Sequence, residues 1–232
     1  MNLELQSRRA VAAAAAFAVL VVVHLGAQLA EADRLADVSQ WFLMPLLAAI
    51  LVAVTAAPRS ALVRTVLVAL AFSWLGDTAP DAVDGDSAFM VMIGCFLLAQ
   101  LAYVTAFLPY RDRSVLRRPA VAGYVLAVVL LVAACAPGAG ALLVPALVYG
   151  LCLGAMAVLS TGLGAVAGVG GALFLASDAM IALGAFADWF TPPVEGFWVM
   201  LTYIAGQALL VYGVAAADRT AATPTAVSSG AR

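Results

Sequence analysis

The chain has 232 residues, 66% of them hydrophobic and only 10% charged, with a formal net charge of −2. Soluble domains carry about 25% charged and about 45–50% apolar residues, so this composition excludes an ordinary water-soluble globule and points to an integral membrane protein. Three cysteines with no C-x-x-C pair argue against a disulfide framework or a zinc site, and a single histidine excludes a centre built on several imidazoles.

About 20 apolar residues cross a bilayer core of roughly 30 Å. On that criterion eight spans are predicted, at Ala10–Leu29, Val38–Ala57, Ala61–Asp77, Ser87–Phe107, Ala120–Ala136, Ala141–Leu159, Gly164–Phe186 and Gly196–Ala215. Arg8-Arg9 precedes the first span with no small-residue cleavage site after it, so that span reads as a retained helix and not a signal peptide. The predicted fold class is an all-α membrane protein, a bundle of about eight transmembrane helices in a single domain over residues 1–218. The Ala-, Thr-, Ser- and Gly-rich tail, 219–232, is expected to be disordered.

All eleven basic residues are arginine. With an even number of spans, Arg8, Arg9, Arg59, Arg64, Arg111, Arg113, Arg117, Arg118, Arg219 and Arg232 fall on one side, and only Arg34 on the other. That other side holds Glu31, Asp33, Asp37, Asp81, Asp84, Asp86, Asp188 and Glu195. By the positive-inside rule both termini are expected to be cytoplasmic. Arginine in place of lysine, with abundant alanine and valine, leads us to expect a GC-rich bacterial genome and a cytoplasmic-membrane location. The cluster Arg111–Arg118 reads most simply as a topology determinant touching anionic head groups.

Ionisable groups inside hydrocarbon-length segments are costly and mark functional sites. Asp77 closes the third span, which runs outward, so it is expected at the outer interface. Asp178 lies inside the seventh span, roughly 12 Å below the same surface at 1.5 Å per residue. Ser73 and Asp77 share a helix face at i, i+4, as do Tyr203 and Gln207; Gln100 and Tyr103 share one at i, i+3. These groups, with Ser177 beside Asp178, are expected to converge on a cavity open to the outer leaflet or the outer face. Two carboxyls there suit acid–base hydrolysis: the protonated one acts as general acid, and the ionised one orients water or steadies positive charge. By depth, Asp178 is the acid and Asp77 the base. The bland readings are a solvated interfacial Asp77, Gln100 and Gln207 as interhelical hydrogen-bonding residues, Tyr103 and Tyr203 as packing residues, and His24 as a structural residue. Gly162, Gly164, Gly168, Gly170 and Gly171 read as close helix packing; no strand precedes them, so they form no dinucleotide fingerprint.

At these residues the chain resembles the YhhN-like family of lysoplasmalogenases. Ser73, Gly76 and Asp77 match the family's S-x-x-G-D. Gly94, Phe96, Gln100 and Tyr103 are similar to G-x(n)-F-x-x-x-H-x-x-Y, with glutamine in place of the histidine. Gly170, Phe174, Ser177 and Asp178 match G-x-x-x-F-x-x-S-D, and Tyr203 with Gln207 matches Y-x-x-x-Q. Met44-Pro45-Leu46-Leu47 is also similar, although the lysine-proline usual near Gln40 and Trp41 is replaced. The resemblance implies hydrolysis of the vinyl ether of a lysoplasmalogen to a fatty aldehyde and a glycerophospho-base, with Asp77 and Asp178 catalytic. It also implies Ser73, Gln100, Tyr103, Ser177, Tyr203 and Gln207 around a lysophospholipid substrate; with glutamine at the usual histidine position, the chain is inactive, takes a different substrate or recruits His24 to the substrate site. Neither metal nor cofactor is implied, and the partners are membrane lipids and not nucleic acid. The alternative from the same acids is a non-enzymatic proton-coupled transporter or lipid-binding membrane protein.

Overall fold

A computed structural model describes residues 2–83 and 86–222, with the side chains of 8–83 and 87–221. Asp84, the side chain of Asp86, Arg232 and the tail from 223 onward lie outside the described residues. The described chain is all helical: α1 (Asn2–Leu29), α2 (Asp33–Val54), α3 (Ala61–Thr78), α4 (Asp86–Phe107), α5 (Val121–Ala139), α6 (Leu143–Ser160), α7 (Ala165–Phe186) and α8 (Glu195–Ala222). Short 3₁₀ turns follow α3, α4, α5 and α6.

Among the described residues, seven helical stretches are long and apolar enough to cross a membrane. The longest, Val121–Leu163, has 43 residues, which at 1.5 Å per residue is roughly twice a bilayer core. It holds two legs, α5 and α6, parted at Gly140, whose φ of +48° lies in the left-handed region that glycine tolerates. The neighbours of its ends agree. Gly138, at the end of α5, abuts the Phe186 carbonyl at the end of α7, whereas Gly162, just past α6, abuts the Tyr110 carbonyl beyond α4. The chain thus makes eight legs, alternating between an arginine-rich end and an acidic end.

Helices α1 and α8 extend beyond the expected spans, to Asn2 and Ala222, and two further boundaries differ from the sequence reading for one reason. Helix α2 begins at Asp33 and not Val38, and the helical stretch containing α3 continues through a 3₁₀ turn to Ala82. Hydropathy ignores polar first and last turns, although an acidic residue such as Asp33 favours a helix start by complementing the dipole. Asp77 is consequently a full turn inside its stretch and only 9% exposed, not a residue at the edge.

Backbone approach at small residues draws α7 and α8 together. A Cβ built on Gly170 would lie 2.8 Å from the Gly206 carbonyl oxygen, and one on Gly206 would lie 2.9 Å from the Gly170 carbonyl oxygen. Small residues substitute in lipid for a hydrophobic driving force between helices, because they let dispersion contacts form along the whole seam. On the other flank, Gly76 of α3 receives the ring of Phe96 from α4. Phe96, Phe174, Tyr203 and Tyr103 then stack edge to face, with centroids 5.4–6.3 Å apart. This aromatic block joins α4, α7 and α8 and packs beneath the polar groups described next.

Candidate functional site

Helices α3 and α8 run antiparallel, so residues four apart on one can meet residues four apart on the other in reverse order. Tyr203 Oη donates to Asp77 Oδ2 at 2.9 Å, and Gln207 Nε2 donates to Ser73 Oγ at 3.0 Å. A third helix joins this two-rung ladder, where Tyr103 Oη donates to Gln207 Oε1 at 2.6 Å. Ser73, Tyr103 and Gln207 are fully buried. Buried polar groups cost about 1–3 kcal/mol each when unpaired, so the ladder fixes the register of α3, α4 and α8.

Asp178 of α7 has a different partner. Its Oδ2 accepts the hydroxyl hydrogen of Tyr149 from α6. The sequence reading missed Tyr149. The available signal was a lone phenol in the otherwise apolar α6, where a hydroxyl needs a partner. Each acid thus has one oxygen held by a tyrosine on another helix. The two acids are comparably shielded, at 9% exposure for Asp77 and 6% for Asp178, which replaces the wet-and-dry pair expected from span depth.

Both acids line one cavity of about 380 Å³, within the range of small-molecule sites. Ser177, Tyr203, Phe96 and Gly76 share its walls, and Gln28, Gln40 and Glu195 lie toward its acidic-end mouth. These three were also missed: Gln28 and Glu195 sit at helix ends, where polar residues are ordinary, and Gln40 lies two turns inside α2. A second cleft, between α4, α5, α6 and α7, is apolar apart from Tyr149 and Asp178. Met92, Phe96, Asp178 and Ile181 line both spaces. Asp178 therefore stands at the junction of a polar cavity and a hydrocarbon-lined one.

The remaining residues expected at the site divide. Ser177 lines the cavity, and its buried hydroxyl has no hydrogen-bond partner among the described residues. Gln100 is fully buried behind the wall, with its amide beside the Tyr149 hydroxyl. Tyr103 and Gln207 stand below the cavity and support it through the ladder. His24 lines neither space. It is buried in the α1–α2 seam, where Nδ1 donates to Ser39 Oγ at 2.9 Å and to the Ala36 carbonyl at 3.1 Å; Ser39 spends its own hydrogen on that carbonyl, which assigns the tautomer. The substitute-catalyst role for His24 is thus corrected to a structural one, since the acids are reached through α3, α4, α7 and α8 instead. His24→Ala is expected to lower the thermal unfolding midpoint while leaving turnover per folded molecule unchanged, measured on the same preparation.

The sequence model of the YhhN family matches residues 35–214, from α2 to α8. No curated protein and no solved structure matches the chain.

Proposed function

Because the chain belongs to the YhhN family, we propose that it is a membrane-embedded hydrolase that cleaves the vinyl ether of a lysoplasmalogen-like lysophospholipid. One observation carries this reading: two carboxyl groups from α3 and α7, each anchored by a tyrosine, line a single cavity where it meets an apolar cleft. An amphiphile with one hydrocarbon chain suits that junction, with its chain in the cleft and its glycerol and head group toward the acidic-end mouth.

The acid's role goes to Asp178 by position and not by depth: Asp178 reaches the apolar cleft, where the chain-side carbon of the vinyl ether would lie, whereas Asp77 lines the polar cavity alone. Protonated Asp178 gives its proton to the outer carbon of the C=C–O unit, and positive charge spreads over the inner carbon and the ether oxygen as an oxocarbenium ion. The Asp77 carboxylate steadies that charge and takes a proton from the water that adds to the inner carbon. The product is a hemiacetal. On its collapse the hemiacetal hydroxyl returns a proton to Asp178, Asp77 protonates the glycerol oxygen, and the carbon–oxygen bond breaks. Aldehyde and glycerophospho-base leave, and both acids regain their starting forms. Tyr149 and Tyr203 keep the carboxyl planes fixed through the cycle, and such orientation lowers the barrier by fixing reacting groups in advance.

The test is aldehyde release by the purified protein in detergent with a lysoplasmalogen. The proposal expects aldehyde and glycerophospho-base in equal amounts. Absence of aldehyde, together with proton-coupled flux in liposomes, would replace the hydrolase with a carrier that uses the same acids.

A further inference from the structure

At the arginine-rich end, far from the acid pair, a groove of about 410 Å³ runs between the start of α5 and the start of α7. Its upper rim is Arg113, Arg118 and Thr161; its lower wall is Tyr124, Gly168 and Val169. We infer that this groove is a binding site for one phospholipid with a net negative head group, the two guanidinium groups taking the phosphate and an acyl chain lying along α7.

Charge is the first support. Arg113 and Arg118 have no acidic partner among the described residues, while the neighbouring Arg117 is paired with Asp112 at 3.2 Å on an exposed surface. Guanidinium is suited to phosphate through its forked donors, and an unpaired cluster at head-group level attracts anionic lipid. Shape is the second. Below the arginines the wall turns apolar, and Val169, 53% exposed, faces outward at the depth where acyl chains begin. Preorganisation is the third, because the loop carrying the arginines is held in place. The Val115 amide donates to Thr161 Oγ1 at 3.0 Å, Ser114 is buried and donates to the Arg111 carbonyl, and Gly162 gives the Tyr110 carbonyl room to close on the α6–α7 turn. A loop that served only as a topology signal needs its charge but not this anchoring. A loop held in place loses less freedom when a ligand binds.

The experiment uses the full chain in mixed micelles holding equal amounts of phosphatidylglycerol and phosphatidylcholine with matched chains, and native mass spectrometry counts retained lipid. The wild-type chain is expected to retain phosphatidylglycerol preferentially by roughly 30-fold, the factor for two guanidinium contacts. The preference should be lost in Arg113→Gln/Arg118→Gln and also in Val169→Trp, which fills the groove without altering charge. It should persist in Arg111→Gln/Arg117→Gln, which removes equal charge from the same loop. Equal loss in both arginine pairs, persistence in Val169→Trp, or no preference in the wild type would overturn the site.

Discussion

Asp178→Asn should leave a folded bundle that no longer releases aldehyde. Asparagine keeps the side chain's shape, and its carbonyl still accepts the Tyr149 hydroxyl, so the α6–α7 contact survives. What is lost is a proton that can be given to carbon. General acid catalysis contributes roughly 10²–10⁴-fold, so turnover should drop by that factor with KM little changed, because asparagine keeps the side chain's shape in the cleft wall. Asp77→Asn should behave alike, its amide oxygen still accepting from Tyr203 while the capacity to take a proton from water is gone. The check is kcat and KM beside the unfolding midpoint of each variant. Full turnover in either one removes that acid from the mechanism.

The second large effect lies in packing. Gly206→Val should separate α7 from α8. A Cβ at 206 would sit 2.9 Å from the Gly170 carbonyl oxygen and 2.9 Å from the Phe174 amide nitrogen. Both are backbone atoms and cannot rotate away, so the helices must move apart. Overpacking of this kind costs about 1–3 kcal/mol. The functional cost is larger than that figure suggests, since α7 carries Asp178 while α8 carries Tyr203 and Gln207. A shift along this seam moves the acids relative to one another and strains both rungs to α3. Detergent-solubilised protein should show a lower unfolding midpoint together with lost turnover. Gly123→Ala is the control: a Cβ there meets nothing within 4 Å, so turnover should hold and the midpoint should not fall.

Much of this fold is legible in the sequence because a bilayer imposes two simple demands. Segments must be apolar over about 20 residues, and their backbones must be satisfied internally, so helices and their order follow from hydropathy alone. Asp178 was legible as well, as an acid in an apolar run. The i, i+4 pairs Ser73–Asp77 and Tyr203–Gln207 were each visible as faces, but that they meet in reverse order is a property of two helices and not of either. Tyr149 escaped notice for the same reason: one tyrosine in α6 says nothing about the carboxyl that faces it from α7. Asp77 was placed too near the edge, because hydropathy stops at the polar sequence from Asp77 to Asp81 whereas the helical stretch continues to Ala82. His24 was overread. A solitary buried imidazole more often joins two helices than performs chemistry, and its pairing with Ser39 and Ala36 is of that kind.

Proton transfer to carbon, within a pocket shared by Asp77 and Asp178, is the step on which the functional account rests, and solvent isotope reports it directly. A lysoplasmalogen turned over by the wild-type chain in D₂O, with the aldehyde trapped at once by reduction and weighed, should give a product carrying one deuterium on the carbon next to the former carbonyl. Aldehyde released without that deuterium, or no aldehyde at all from folded protein, would contradict the account.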